Sequence, residues 1–307
     1  MKLESIAVHV PATSANLGPG FDVLGLALPF YNRLTLSAAD TLTIVNDGPE
    51  AAGLPTDETH LAHRAAALLC AELGKPVPAW RMSLDVQIPQ SRGLGSSSAA
   101  IVAGLVAANA WFEEPLDTHG LLQLATRMEG HPDNVAPALY GGVTAAFTDA
   151  GVTHCVPLAA QAPVSLVAAI PDFHLATAEA RKALPAAYSR ADVVANLAAV
   201  TVLTTVMTTG AIEWLPYGLK DRIHQPYRLS LIPGADAVEA ASSQAGALGV
   251  AISGAGPTLL AFCPRDARYG VAAAMREAWE EMGIGCRTLT FEALARGAGL
   301  GDSPIPG

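Results

Sequence analysis

An α+β fold in two domains is the architecture this sequence predicts. Its 307 residues suit two modest domains better than one large one. With 51% hydrophobic and 15% charged residues, the chain has the apolar content for a sizeable core. Between 81 and 112 a period-two strand, a Gly-rich turn and a helix follow one another. In the second half strands and helices alternate, which suggests a split β-α-β sandwich.

The elements can be justified in order. Ile6, Val8 and Val10 alternate and give a first strand. Residues 11–22, with two Pro, two Gly, Ser, Thr, Asn and Asp, read as a structured loop. A bare connection would have about four to six residues. Asn16 and Asp22 in it are either ligand groups or Asx-turn residues bonding their own backbone. Further strands are expected at 24–28, 34–36 and 42–45. A helix starts after Asp57, carries Leu61, Ala65, Leu68 and Glu72, and closes at Gly74.

Met82, Leu84, Val86 and Ile88 alternate with polar residues, the pattern of a half-buried strand. Ile101, Leu105, Ala108 and Phe112 recur at helical spacing. Between them, Pro89 to Ser98 delivers the chain into a helix N-terminus, where free N–H groups and the dipole suit a phosphate. A serine N-cap on a buried helix would have the same look. The loop is not a Walker P-loop, because Ser96 stands where Lys is required, and the dinucleotide fingerprint fails at Ser98.

Thr118 can cap another helix, with Leu121, Leu122, Ala125 and Met128 inward. It ends in Glu129-Gly130-His131-Pro132-Asp133-Asn134. Gly and Pro are ordinary stop signals. A carboxylate at a helix C-terminus opposes the dipole, and a bound cation would relieve that conflict. A solvated loop is the plainer alternative. A strand from Gly141 to about Phe147 and a turn at 149–151 follow. The gap 157–163 is the expected domain boundary, giving domains 1–157 and 158–307.

The second half opens with a continuous apolar strand at 164–170. Residues 177–185 carry Arg181 and Lys182, and a long helix is expected over 191–214. The charged patch 220–228 reads by default as an exposed loop. Residues 235–246 look helical. Strands at 250–253 and 259–262 flank Ser253-Gly254-Ala255-Gly256-Pro257, where two glycines suggest close backbone approach. Val271, Met275, Trp279 and Met282 form the face of a last helix, and 286–291 a closing strand. Residues 297–307 read as a frayed end.

Composition excludes some functions. Net charge is −10, and no basic cluster stands out, so nucleic acid is not the expected partner. Cys70, Cys155, Cys263 and Cys286 are scattered without a C-x-x-C pair, against zinc or a disulfide framework. Residues 1–5 show no signal-peptide core, and a cytoplasmic protein is expected. The uncharged run 193–212 contains Asn196 and five threonines, and reads as a buried helix rather than a membrane span.

Three segments, 11–28, 89–104 and 252–262, resemble in order the three motifs of the GHMP small-molecule kinases. Pro89-Gln90-Ser91-Arg92-Gly93-Leu94-Gly95-Ser96-Ser97-Ser98-Ala99 is similar to that family's P-x-x-x-G-L-G-S-S-x-A loop, a highly specific pattern. Pro-Ala-Thr-Ser-Ala-Asn-Leu-Gly-Pro-Gly-Phe-Asp at 11–22 resembles the homoserine kinase branch. So do Glu-Gly-His-Pro-Asp-Asn-Val-Ala-Pro-Ala from 129 and Pro226-Tyr227-Arg228. The likeness spans nearly the whole chain.

The resemblance implies a two-domain fold, with an N-terminal ribosomal-S5-domain-2-like domain and a C-terminal ferredoxin-like split β-α-β sandwich, the substrate site lying between them. It implies transfer of phosphate from ATP to the side-chain hydroxyl of L-homoserine, a step toward threonine, and a homodimer. Pro89, Arg92, Gly93, Leu94, Gly95, Ser96, Ser97 and Ser98 match the ATP-phosphate loop. Ser97 and Glu129 match the Mg²⁺ positions. Asn16, Asp22, His131, Asn134, Arg181 and Arg228 match substrate positions, and Thr177 a threonine near the reacting hydroxyl. Ser97, Glu129, Thr177 and Arg181 form the catalytic set so implied. These residue types suit the chemistry: guanidinium forks for a carboxylate, a carboxylate for an ammonium, hard oxygens for Mg²⁺. Mevalonate kinases have an Asp thought to act as base, with no clear match here.

Two departures stand out. His60 occupies a position where the family more usually has Asn, in a region that contacts adenine. The loop between Glu129 and His131 is shorter than in some relatives. The alternatives to a homoserine kinase are a GHMP kinase for mevalonate or a sugar, and a non-catalytic ligand sensor on the same scaffold.

Overall fold

In the computed structural model, which describes residues 5–292 and 294–301, the chain builds two sheets with helices packed on them. The order is β1 (Ser5–Ala15), β2 (Leu24–Ala38), β3 (Thr43–Asp47), α1 (Leu61–Glu72), β4 (Trp80–Asp85), α2 (Ser96–Trp111), α3 (Thr118–Glu129), α4 (Val135–Tyr140), β5 (Val143–Asp149) and β6 (Val152–Ala159). Then come β7 (Ser165–Pro171), α5 (Thr177–Lys182), α6 (Arg190–Thr209), α7 (Leu215–Gly218), α8 (Gln225–Arg228), α9 (Ala235–Gln244), β8 (Gly249–Ile252), β9 (Leu259–Cys263), α10 (Arg268–Glu280), β10 (Cys286–Phe291) and β11 (Gly299–Leu300).

The first sheet runs β11-β1-β2-β4-β3, with β5 joined to β2 and β6 to β5. The second runs β10-β7-β9-β8, antiparallel throughout. With α9 and α10 packed together beside it, this is the split β-α-β sandwich that the alternating second half predicts. β7 explains its own unbroken apolar run. Leu166, Ala168 and Ile170 join the core of the first half, while Val167 and Ala169 join the core under α9 and α10. A strand covered on both faces needs no polar alternation. The change of sheet falls between Ala159 and Ser165, so β6 runs past the expected limit at 157.

The structure corrects several expectations. The loop expected at 11–22 is half strand, because β1 continues through Ala15. Pro11 lies beside a register shift, where Pro11 pairs Tyr31 and Ala12 pairs Leu28. Such a bulge is where a sheet tolerates Pro. The strands expected at 24–28 and 34–36 are one strand, β2, passing through the same bulge. The long helix stops at Thr209, because Gly210 takes a left-handed C-cap (φ 79°). Met282 lies beyond α10 and is exposed. Residues 299–300 are not frayed but pair with β1 at Val8 and His9. Residues 302–307 lie outside the described residues.

α6 is also not the buried helix that its apolar sequence suggests. It is long and apolar enough to cross a membrane by length and composition, yet just 22% of that stretch is buried. Ala199, Leu203, Val206 and Met207 face inward, and Val193, Val194 and Leu197 are exposed. Thr201, Thr205 and Thr209 return their hydroxyls to the carbonyl four residues back, which satisfies them without solvent. All four cysteines are free, and burial pushes the Cys155, Cys263 and Cys286 thiols up to about 11.

One buried side chain fixes the approach to the Gly-rich turn. β4 ends at Asp85, earlier than the alternation to Ile88 suggests. Asn32 of β2 takes over from the ladder there. Its Oδ1 accepts from the N–H groups of Gln87 (2.8 Å) and Ile88 (2.9 Å). Asn32→Leu leaves the buried Ile88 donor and the half-buried Gln87 donor without their acceptor, at about 1–3 kcal/mol for the first and less for the second. Urea denaturation is expected to show a loss of about 2–4 kcal/mol, against a small change for the exposed Arg81→Ala.

Candidate functional site

The Gly-rich turn, the loop after β1, the end of α3 and the helices α5 and α8 converge on a cavity of about 380 Å³. Backbone conformation sets the turn. Gly93 (φ 76°) and Gly95 (φ 69°) are left-handed, and a Cβ on Gly93 would lie 2.1 Å from the Ser253 carbonyl oxygen. Gly95 is the N-cap of α2 and offers no side chain to the first-turn N–H groups. A 16-residue helix thus presents its uncapped N-terminus to the cavity, a site ready for an anion.

The expected loop residues sort themselves in space. Pro89, Arg92, Gly93, Leu94, Gly95, Ser96 and Ser97 line the cavity. Ser98 does not: it is fully buried, and its hydroxyl donates to Glu129 Oε1 (2.8 Å). Ser97 Oγ donates to the same oxygen at 2.7 Å. Glu129, the last residue of α3, therefore meets two hydroxyls on the first turn of α2. The Arg92 side chain turns to the second half, donating to the carbonyls of Pro171 (2.9 Å) and Asp172 (2.8 Å) and touching His174. Its guanidinium braces the loop against the end of β7.

Across the cavity lie the charged groups. Asn16, Asp22, His131, Asn134, Thr177, Arg181 and Arg228 all line it. The open question about Asn16 resolves toward scaffold as well as cavity. Asn16 Nδ2 donates to the Gly254 carbonyl (2.7 Å), and its Oδ1 accepts from the Asp22 N–H (2.9 Å). That bond helps hold Asp22 in a left-handed conformation (φ 56°). Asn134 Oδ1 accepts from Thr13 Oγ1 (2.8 Å). Thr177 and Arg181 lie four residues apart on α5, hence on one face.

The two arginines differ. Arg181 makes a two-pronged pair with Asp22, at 2.8 and 3.1 Å, which raises its pKa. Arg228 is 2% exposed, and among the described residues no carboxylate pairs with it. It is held by the carbonyls of Ala180 (3.2 Å) and Gly254 (3.1 Å) and by His224 Nδ1 (3.3 Å). Burial, then the charge of Arg181, lowers its pKa. A buried cation without an anion is an unstable arrangement unless a ligand supplies one.

Several contributors receive no role from the sequence alone. The Phe21 ring has Arg181 5.8 Å and Arg228 5.1 Å from its centroid, and stacks on His224. Asp133, nearly fully buried, bonds His131 Nδ1 (2.6 Å) and raises its pKa. The signal for both was adjacency: Phe21 precedes Asp22, and Asp133 sits in the crowded turn after α3. The patch 220–228 is not the exposed loop of its default reading. Asp221 is buried, and its carboxylate accepts from the N–H groups of Ile223, His224 and Gln225. His224 reaches the Gly18 carbonyl (2.8 Å), which ties α8 to the first loop.

Comparison with known proteins places this geometry. The description "GHMP kinases N terminal domain" matches residues 60–142, and "GHMP kinases C terminal" matches 210–281. The chain is 48% identical over 284 residues to a homoserine kinase of Microchaete diplosiphon, covering 92% of each chain. The chain belongs to the homoserine kinase family of GHMP kinases. A homoserine kinase structure from Cytophaga hutchinsonii superposes with a TM-score of 0.90 at 30% identity, over 98% of both chains. An L. major mevalonate kinase structure, 16% identical, shares the fold with a TM-score of 0.73 over 93% and 95% of the two chains.

Asp221 makes the arrangement of this kinase site testable. Asp221→Ala leaves one buried and two half-buried N–H groups without their acceptor, a cost of about 3 kcal/mol in urea denaturation. Asp221→Asn keeps one acceptor oxygen and is expected to recover part of that loss.

Proposed function

We infer that the protein transfers a phosphoryl group from ATP to the side-chain hydroxyl of L-homoserine, giving O-phospho-L-homoserine, a step toward threonine. Membership of the homoserine kinase family supports the reaction. Within the site, the buried Arg228, which no carboxylate among the described residues pairs with, carries the reading. It favours an anionic substrate group over a neutral sugar, since an uncharged ligand would leave the buried Arg228 without a counter-charge.

Homoserine is a zwitterion, and the site carries both complements. In our reading Arg228 and Arg181 take its carboxylate, Asp22 its ammonium. Asp22 and Arg181 hold each other without substrate, and a zwitterion can satisfy both when it enters. An acid lacking the ammonium would occupy Arg181 and leave Asp22 unpaired. Asn16, His131 and Asn134 complete the substrate wall, and Thr177 stands near the reacting hydroxyl.

ATP phosphates would lie over the uncapped N-terminus of α2, along 93–98, with Pro89, Arg92 and Leu94 shaping the turn. The hard oxygens of Ser97 and Glu129 fit Mg²⁺, which takes few protein ligands beside phosphates and water. Bound Mg²⁺ would neutralise the phosphate charge that develops in transfer. The chain's own part is to hold the hydroxyl in line with the γ-phosphate and to exclude water. No dedicated protein base is assigned, and the hydroxyl proton leaves to the transferring phosphate or to solvent.

A homodimer is our proposed assembly. The apolar residues that α6 leaves exposed, with Trp214 and Tyr217 after it, support it. The net charge of −10 supports a small-molecule partner over nucleic acid. The four free thiols support a reducing cytoplasm.

A coupled ADP-release assay with Mg²⁺-ATP, offering L-homoserine, mevalonate and galactose separately, tests the reading. Turnover is expected on homoserine. Turnover confined to mevalonate or galactose would overturn the substrate assignment, and no turnover on any would favour the sensor alternative. Arg228→Met is expected to raise KM for homoserine about hundredfold, the scale of a lost buried charge pair. Asp22→Asn should lower kcat/KM for homoserine by about the same factor.

A further inference from the structure

His224 is a fully buried titratable group to which the proposed reaction gives no task. It does not line the cavity, but its ring bridges two elements that do. Nδ1 lies 3.3 Å from Arg228 Nη1, and Nε2 lies 2.8 Å from the Gly18 carbonyl oxygen. A guanidinium has donors alone, so Nδ1 accepts and carries no proton. The ring proton is then on Nε2, which donates to Gly18. The Asp221 carboxylate, 3.5 Å from Nε2, is the more distant acceptor. Burial lowers the pKa of His224 against the opposing pull of Asp221, and the ring stays neutral near pH 7.

Arg228 has five N–H groups to place. Its Nε–H donates to the Ala180 carbonyl, and Nη1 donates to the Gly254 carbonyl and to His224. Among the described residues no hydrogen bond takes up Nη2, so the two N–H groups there are left for a ligand. Three acceptors thus fix the guanidinium plane, and His224 is the one side chain among them. Phe21 closes the arrangement: its ring stacks on His224 at 5.3 Å, with Arg228 5.1 Å from its centroid. Phe21 precedes Asp22, and Gly18 lies in the same loop. We propose that His224 is a positioning residue for the substrate carboxylate: through Nδ1 it aims Arg228, and through Nε2–H it fixes that guanidinium against the loop carrying Asp22. The inference rests on the substrate reading above and deepens it. An α-amino acid carries its ammonium and carboxylate on one carbon, so Asp22 and Arg228 must be held at a matching separation. Without the Nδ1 acceptor Arg228 keeps its charge but loses one of the three groups that aim it. Homoserine then binds more weakly, while transfer to a bound hydroxyl is little altered.

Steady-state kinetics with saturating Mg²⁺-ATP and varied L-homoserine test it. The proteins compared are the unaltered chain, His224→Leu, His224→Asn, Arg228→Met and the double variant His224→Leu with Arg228→Met. Leucine removes both ring nitrogens, and asparagine places an acceptor oxygen near the position of Nδ1. His224→Leu is expected to raise KM for homoserine about tenfold, the worth of one hydrogen bond to a charged group, with little change in kcat or in KM for ATP. His224→Asn is expected to recover most of that loss. Beside Arg228→Met, His224→Leu is expected to cost nothing further, because the group it aims is gone. A loss that persists undiminished beside Arg228→Met would overturn the proposal, since His224 would then act independently of Arg228. So would an unchanged KM for homoserine in His224→Leu, or a KM for ATP that rises by the same factor. If His224→Leu does not fold, His224→Gln takes its place in the cycle, keeping a donor for the Gly18 carbonyl and withdrawing the Nδ1 acceptor. Absence of homoserine turnover by the unaltered protein would overturn the substrate reading itself, and this inference with it.

Discussion

The Ser253–Gly254 peptide is the junction through which the site is assembled. The Gly254 carbonyl accepts from Asn16 Nδ2 and from Arg228 Nη1, while its N–H donates to the Ala15 carbonyl. Ser253 Oγ bonds the Gly93 carbonyl (2.6 Å) and Ser14 Oγ (2.8 Å). One short turn of the second sheet thereby grips the loop after β1, the Gly-rich turn before α2 and the helix that carries Arg228. These contacts are buried, so each polar atom depends on its partner staying in place. Three segments far apart in sequence are locked to one another, and the cavity is the space they leave.

That junction explains which parts of the molecule could be read from the chain. The Gly-rich turn is local: its glycines, serines and flanking periodicities all lie within thirty residues or so, and local patterns report local structure. β7 was legible for a similar reason, since burial on both faces writes an unbroken apolar run. Partnerships across long separations left no such trace. Pro11 reads as a loop residue until β2 supplies the complementary bulge. Arg228 and Asp221 read as a solvated patch until Gly18, Ala180 and Gly254 close around them. His60 looks like a site departure, and its capping of α1 emerges only with the helix start. α6 misled in the other direction. Its apolar sequence promised burial, but its threonines satisfy themselves along the helix, and Val193, Val194 and Leu197 stay outside.

The charge arrangement around Phe21 follows from the same locking. Two guanidiniums so near one another repel, and both are drawn partly out of water. Asp22 offsets one, and the aromatic face between them offers its negative quadrupole to both. Phe21 and Asp22 can do this together because the left-handed residues Asn16, Leu17 and Asp22 fold the loop tightly under α5 and α8. Strained backbone of this kind persists where surrounding contacts over-determine it, and the Asn16 side chain supplies two such contacts.

Set against the whole molecule, this local excess of positive charge has a further meaning. The chain carries a net charge of −10, so its long-range field repels anions. In the proposed reading an anionic nucleotide would be held by short-range groups: the N–H groups at the start of α2, and a metal ion for which Ser97 and Glu129 would supply oxygens. A zwitterionic amino acid pays no such penalty on approach, because it has no net charge. Its two ends would become distinguishable only within a few ångströms, where in the proposed reading Asp22, Arg181 and Arg228 face it and solvent screening falls away. In the proposed reading, selection for a zwitterion over a simple acid would therefore belong to the interior of the cavity and to Asp22, which an acid without an ammonium would leave unpaired once Arg181 turned to the ligand.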